Sequence, residues 1–168
     1  MKLTTAVLQD IAVIQKLAQE IWFIHYPPII GYKQVNYMLD AMYSEKSLQK
    51  QMEQENHVFY LINIKNKNIG FVSIKQESKN AIFINKFYIL KNKSNKGVGT
   101  QVFKMLLKIY KPKTIRLTVN RQNYQAINFY FKNGFMIEKV ADFDIGNGYY
   151  MNDFVMVWQR ANKTRSKA

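Results

Sequence analysis

The sequence predicts a mixed α/β (α+β) domain built on a single sheet. Three observations predict it. At 168 residues the chain is long enough for one real core and too short for two ordinary domains. Its first third repeats apolar residues at spacings of three and four, the period of amphipathic helices. The remainder alternates β-branched and aromatic runs with two more helical stretches, the pattern of helices packed on one sheet.

The elements follow in order. Residues 1–5 form a short opening strand. Ile11, Ile14, Leu17, Ala18, Ile21 and Trp22 mark a helix over 10–26, which Pro27-Pro28 stops. Val35, Met38, Leu39 and Met42 mark a second over 31–43, and Ser44 or Ser47 can cap a third over 48–55. Residues 57–65 and 69–76 read as strands around a turn at 66–68, a hairpin signal. A polar turn at 78–80 precedes a strand at 81–90. A basic loop at 91–99 leads into a helix over 98–110, broken by Pro112. A strand at 114–119 and a helix at 123–132 follow, with Gly134 as C-cap. Strands at 135–141 and 151–159 are joined by a turn-rich connection at 142–148. The domain is expected to span 1–160, with 161–168 as a basic, frayed tail.

Composition narrows the function. Apolar residues make up 48% and charged residues 21%, which argues against disorder. Cys is absent and only His25 and His57 are present, so thiol nucleophiles are excluded and no metal site is expected. No apolar run approaches the ~20 residues that span a bilayer, and residues 1–5 lack an apolar signal core; a cytoplasmic address is expected. The net charge of +14 points to an anionic partner. Residues 78–134 contain no acid at all, whereas Glu138, Asp142, Asp144 and Asp153 cluster after them.

Within that basic stretch, Ser94-Asn95-Lys96-Gly97-Val98-Gly99-Thr100 follows a strand and opens a helix. Free N–H groups of a first helical turn, two glycines and the nearby Lys93 and Lys96 suit a diphosphate. The same spacing also serves as a plain strand-to-helix turn. It is neither a Walker loop nor a dinucleotide fingerprint.

The segment Val119-Asn120-Arg121-Gln122-Asn123-Tyr124-Gln125-Ala126-Ile127-Asn128-Phe129-Tyr130-Phe131-Lys132-Asn133-Gly134-Phe135 resembles the signature of the GNAT acetyltransferases, V-N-x-x-N-x-x-A-I-x-F-Y-x-x-x-G-F. With the GxG loop upstream, the resemblance covers 81–135 strongly and the whole chain in element order. It implies a mostly antiparallel mixed sheet flanked by helices, with a splayed parallel strand pair, 81–90 and 114–119, holding acetyl-CoA. Phe87, Tyr88 and Ile89 would pair with the pantetheine arm. Ser94, Asn95, Lys96, Gly97, Val98, Gly99 and Thr100 would wrap the pyrophosphate. Asn123 would hydrogen-bond the cofactor, Tyr130 would act as general acid for the leaving thiolate, and Lys132 would meet the 3′-phosphate. One departure is Ser94, where the family usually has Gln or Arg.

Amine attack on a thioester needs no covalent nucleophile, and a tyrosine hydroxyl can protonate the departing thiolate. Tyr130 also reads as a core aromatic beside Phe129. Glu138, Asp142, Asp144, His57 or a water chain are candidates for the base, each also readable as a solvated carboxylate or a satisfied histidine. The first third, the strand around Asn85 and Lys86, and residues 153–156 loosely resemble the bacterial spermidine/spermine (polyamine) acetyltransferase branch. That branch generally has a carboxylate where Asn85 or Lys86 stands, and a cationic acceptor would suffer from the lysine; Asp142 and Asp144 could compensate. A small primary amine such as a polyamine is the expected acceptor. A protein N-terminus or lysine is the alternative, and a non-catalytic nucleic-acid-binding domain is the rival of another class. No specific nucleic acid and no membrane partner is expected; homodimerisation is left open.

Overall fold

The computed structural model describes residues 1–94 and 97–161. Three helices come first: α1 (Ile11–His25), α2 (Pro27–Tyr43) and α3 (Glu45–Glu53). Pro27 and Pro28 stop α1 and occupy the first positions of α2, where a missing N–H costs nothing. Gly31, at φ +77° and ψ 156°, breaks α2 after one turn, a conformation open essentially to glycine alone. Ser44 precedes α3 without a side-chain cap bond.

Seven strands form one sheet: β1 (Lys2–Thr5), β2 (His57–Ile64), β3 (Lys67–Ser78), β4 (Ala81–Ile89), β5 (Thr114–Asn120), β6 (Met136–Gly146) and β7 (Tyr149–Gln159). Their order is β1-β2-β3-β4-β5-β7-β6, and every neighbouring pair is antiparallel except β4–β5. The helices α4 (Val98–Tyr110) and α5 (Tyr124–Lys132) make the connections on either side of β5. Side-chain alternation then builds two cores. Tyr60 and Ile62 pack toward α4 and α5, while Phe59 and Leu61 pack toward α1–α3.

One irregularity positions the site. Ser73 of β3 pairs with Lys86, but the next residue, Ile74, pairs with Ile84, so Asn85 is an extra residue on β4. Such a bulge bends its strand and resets which side chains share a face. Ile82, Ile84, Phe87 and Ile89 face the α4–α5 core, whereas Tyr88 faces the α1–α3 core. The β4–β5 ladder covers only Ala81–Ile84 against Thr114–Leu117. Past the bulge the two strands part.

Several boundaries differ from the sequence reading. The first hairpin turns on Lys65 and Asn66, both at positive φ, so the strands run to Ile64 and from Lys67 rather than around a turn at 66–68. The connection expected at 142–148 is largely strand: β6 continues to Gly146 and β7 starts at Tyr149. Gly146, Asn147 and Gly148 take the left-handed backbone of the turn. This long hairpin reaches across to α2. The Tyr37 hydroxyl donates to the Ile145 carbonyl at 2.5 Å, and Gln34 Nε2 donates to the Tyr150 carbonyl at 2.7 Å. No helix among the described residues is long and apolar enough to cross a membrane.

Candidate active site

A cavity of about 440 Å³ fills the opening between β4 and β5 and continues under α1 and α2. The β4 side offers backbone groups. The Leu90 N–H donates to Ile69 of β3 at 2.8 Å. Peptide directions alternate along a strand, so the N–H and C=O groups of Phe87 and Ile89 point to the open side. An extended amide-bearing chain can pair there as an added strand.

At one end of the opening stands the start of α4. Gln101 N–H is the first to bond within the helix, to the Gly97 carbonyl at 3.0 Å, which leaves the preceding N–H groups without a helical acceptor. Gly97 is the N-cap with φ +73°, a left-handed backbone with no heavy atom near its missing Cβ. Gly99 lines the cavity, and a Cβ there would sit 2.9 Å from the Phe129 ring. The sequence alone suggests that both glycines give clearance to an anion. The structure gives each its own reason: backbone conformation at Gly97, and close packing of α4 on α5 at Gly99. The free N–H cradle they open fits a pyrophosphate, and with the unpaired β4 edge the chain has both features that a CoA molecule needs.

The predicted residues separate into three groups. Phe87, Tyr88, Ile89, Ser94, Gly99, Asn123 and Tyr130 line the cavity. Gly97, Val98, Thr100 and Lys132 do not; the Val98 side chain is buried in the core, and Lys132 is exposed. Asn95 and Lys96 lie outside the described residues. Asn123 is buried, and its Oδ1 accepts from the Ala126 N–H at 3.1 Å to cap α5.

Tyr130 is buried on α5, its ring held between Phe129 and Phe135 at 5.2 and 5.4 Å. Burial raises its pKa, so the hydroxyl stays a proton donor at neutral pH. Tyr26, at the α1–α2 junction, faces Tyr88 and Asn123. Desolvation likewise holds Tyr26, Tyr43 and Tyr88 protonated.

None of the carboxylates expected as base reaches the cavity. Glu138 makes a bidentate ion pair with Arg116. Asp142 accepts from Arg121 at 2.5 Å and from Asn152 at 2.7 Å. Asp144 accepts from the Gly146 N–H within the hairpin turn. His57 sits behind β4, its Nδ1 3.0 Å from Asn85, and burial lowers its pKa to about 4. The carboxylate that does line the cavity is Asp153 of β7. It is only 5% exposed, and burial raises its pKa to about 6, against the Thr118 hydroxyl and Arg121. The signal available in the sequence is an aspartate inside a strand rich in aromatic and aliphatic residues, a place where acids are depleted.

The domain model for the acetyltransferase (GNAT) domain matches residues 28–143. A protein of Thermoplasma acidophilum named spermidine N(1)-acetyltransferase is 28% identical over 138 residues, covering 78% of this chain and 85% of that protein. The crystal structure of PaiA N-acetyltransferase from Thermoplasma acidophilum in complex with coenzyme A superposes with a TM-score of 0.76 at 25% identity, covering 95% of this chain and all of that one. A GCN5-related N-acetyltransferase structure from Rhodopseudomonas palustris reaches 0.78 at 16% identity over 95% of each chain, a likeness of fold.

Proposed function

This chain belongs to the GNAT acetyltransferase family and is an acetyl-CoA-dependent N-acetyltransferase; on that premise we propose that its acceptor is a small primary amine of the polyamine class. The observation that carries this reading is Asp153, a buried carboxylate on the wall of the cavity. The wall beyond it is the β6–β7 hairpin, latched to α2 by Tyr37 and Gln34. An amine finds a negative partner there. The relative named as a spermidine acetyltransferase supports the same class. The rival of a non-catalytic basic domain gives way to family membership.

In this proposal the backbone of Phe87 and Ile89, with Tyr88 between them, holds the pantetheine arm. The N–H groups of Gly97, Val98, Gly99 and Thr100 hold the pyrophosphate beside Ser94, where the helix dipole adds positive potential. Asn123 lies on the cavity side of α5, and Lys132 is offered to the 3′-phosphate. Bound acetyl-CoA supplies an activated acetyl group. Asp153 takes a proton from the acceptor nitrogen as its bond to the acetyl carbon forms. Tyr130 gives a proton to the sulfur as the carbon–sulfur bond breaks. The catalytic unit is residues 1–160.

The test is thiol release from acetyl-CoA with 1,4-diaminobutane, spermidine, spermine and butylamine, beside peptides with free N-termini or lysines. Turnover with the small amines and not with the peptides is expected. Turnover confined to peptides would replace the polyamine reading with a protein acceptor.

A further inference from the structure

We propose that Lys86 sets the charge selectivity of the acceptor end of the cavity, disfavouring acceptors that place a second ammonium against the Lys86 stretch of β4. This rests on the reading that the acceptor is a small amine and adds what decides among such amines.

The bulge at Asn85 is what turns Lys86 onto the α1–α3 face. Without the extra residue, strict alternation would put it on the face of Ile84. Lys86 is 7% exposed and lines the main cavity as well as a second cleft of about 380 Å³ behind it. Its Nζ donates to Gln51 Oε1 at 2.6 Å and lies 5.3 Å from the Tyr43 ring centroid and 5.7 Å from that of Phe59. Gln51 is itself fixed, donating to the Met42 carbonyl and Ser47 Oγ. Among the described residues no carboxylate lies within 4 Å of Nζ.

The charged surroundings do not neutralise it. Glu55, after α3, favours the ionised lysine from a distance, but its carboxylate is itself paired with Lys50 at 3.0 Å. His57 of β2 is held by Asn85, and Lys75 of β3 adds positive charge near it. Tyr43 of α2 and Tyr88 of β4 remain neutral phenols, and Ser73, opposite on β3, carries no charge. Asp153 lies on the β7 wall of the same cavity. The acceptor end therefore has one negative wall and one positive wall. A diamine can offer its reacting nitrogen to Asp153 but meets repulsion if its second ammonium turns toward Lys86. Burial lowers the lysine to about 7. It is ionised below that value and neutral above it, so the repulsion fades as pH rises through 7.

The readout is the ratio of kcat/KM for 1,4-diaminobutane to that for butylamine, from pH 6 to 8. Taking the ratio cancels the common base and the reacting amine. In the unaltered protein the ratio is expected to rise by about tenfold across that range, the size of a like-charge interaction in a partly buried site. In Lys86→Met, and in Lys86→Gln, it should be high and flat; in Lys86→Arg, low and flat. A ratio that is flat in the unaltered protein and equal in Lys86→Met, with both amines acetylated, overturns the role of Lys86 alone. No turnover of either amine overturns the small-amine reading and this inference with it. The pH series needs no variant, so a poorly folding substitution leaves it decisive.

Discussion

Burial raises the Asp153 carboxyl from its ordinary range to about 6. Between those values the folded protein keeps a proton that the unfolded chain releases. This group therefore lowers stability as pH rises through that window, and the cost is complete above about 6. Asp153→Asn removes the charge and keeps an oxygen for Thr118. It should stabilise the protein by about 2 kcal/mol at pH 7 and not at pH 3.5, since each tenfold change in proton affinity is worth about 1.4 kcal/mol and part of the gain is lost to imperfect amide pairing. Urea unfolding at both pH values reads it. The same variant should lose on the order of 10²-fold in kcat as the base is lost. Equal stability at pH 7 would mean that the carboxylate is well solvated. Tyr130→Phe is the complementary case. The ring stays packed between Phe129 and Phe135, so acetyl-CoA affinity and stability should hold while kcat falls on the order of 10²-fold. Unchanged kcat would make Tyr130 a packing residue. That Tyr130 lines the cavity was legible in the sequence because it sits in a specific motif. Asp153 was not: the acids that looked available, Asp142 and Asp144, stood in a stretch read as a loop, and only the fold reveals that Arg121 and the hairpin turn occupy them.

The elements themselves were legible, since each has a clear period or a clear stop signal. The Asn85 bulge was not. Nothing in Ile84-Asn85-Lys86-Phe87 marks an extra residue, and simple alternation would place Lys86 and Tyr88 in the α4–α5 core. Bulges depend on the partner strand, which one sequence window does not contain. The GxG turn was legible as the start of a helix after a strand, but the two glycines now predict different outcomes. Gly97→Ala meets no atom and should cost about 1 kcal/mol of stability through its left-handed backbone. Gly99→Val forces its side chain against Phe129, which stacks edge-on to Phe87 at 5.7 Å. It should therefore reduce CoA affinity at least about tenfold by shifting the wall of the opening, on the scale of overpacking penalties. Urea unfolding reads the first and calorimetric titration of CoA the second, and equal CoA affinities in the two variants would contradict this division of roles.

At the scale of the whole molecule, the sheet divides the work. In the proposed function its β4–β5 opening presents unpaired backbone to the donor, and the β6–β7 hairpin, which reaches α2, borders the acceptor end. Residues 142–146 read as turn-rich because they carry Asp142, Asp144 and Gly146, yet pairing with β7 and docking on Tyr37 hold them extended. Tyr37→Phe removes one latch bond, a loss of about 1 kcal/mol. The KM for the acceptor should rise several-fold while CoA affinity is unchanged; a change in CoA affinity alone would place the hairpin at the donor site. The most direct test of the site as a whole is residue-resolved amide hydrogen exchange with and without CoA. Exchange should slow at Phe87 and Ile89, whose N–H groups face the opening, and at Gly99 and Thr100 in the first turn of α4. Protection centred on the cleft around Gln51 and His57, with the Phe87 and Ile89 amides unchanged, would contradict the placement of the donor between β4 and β5.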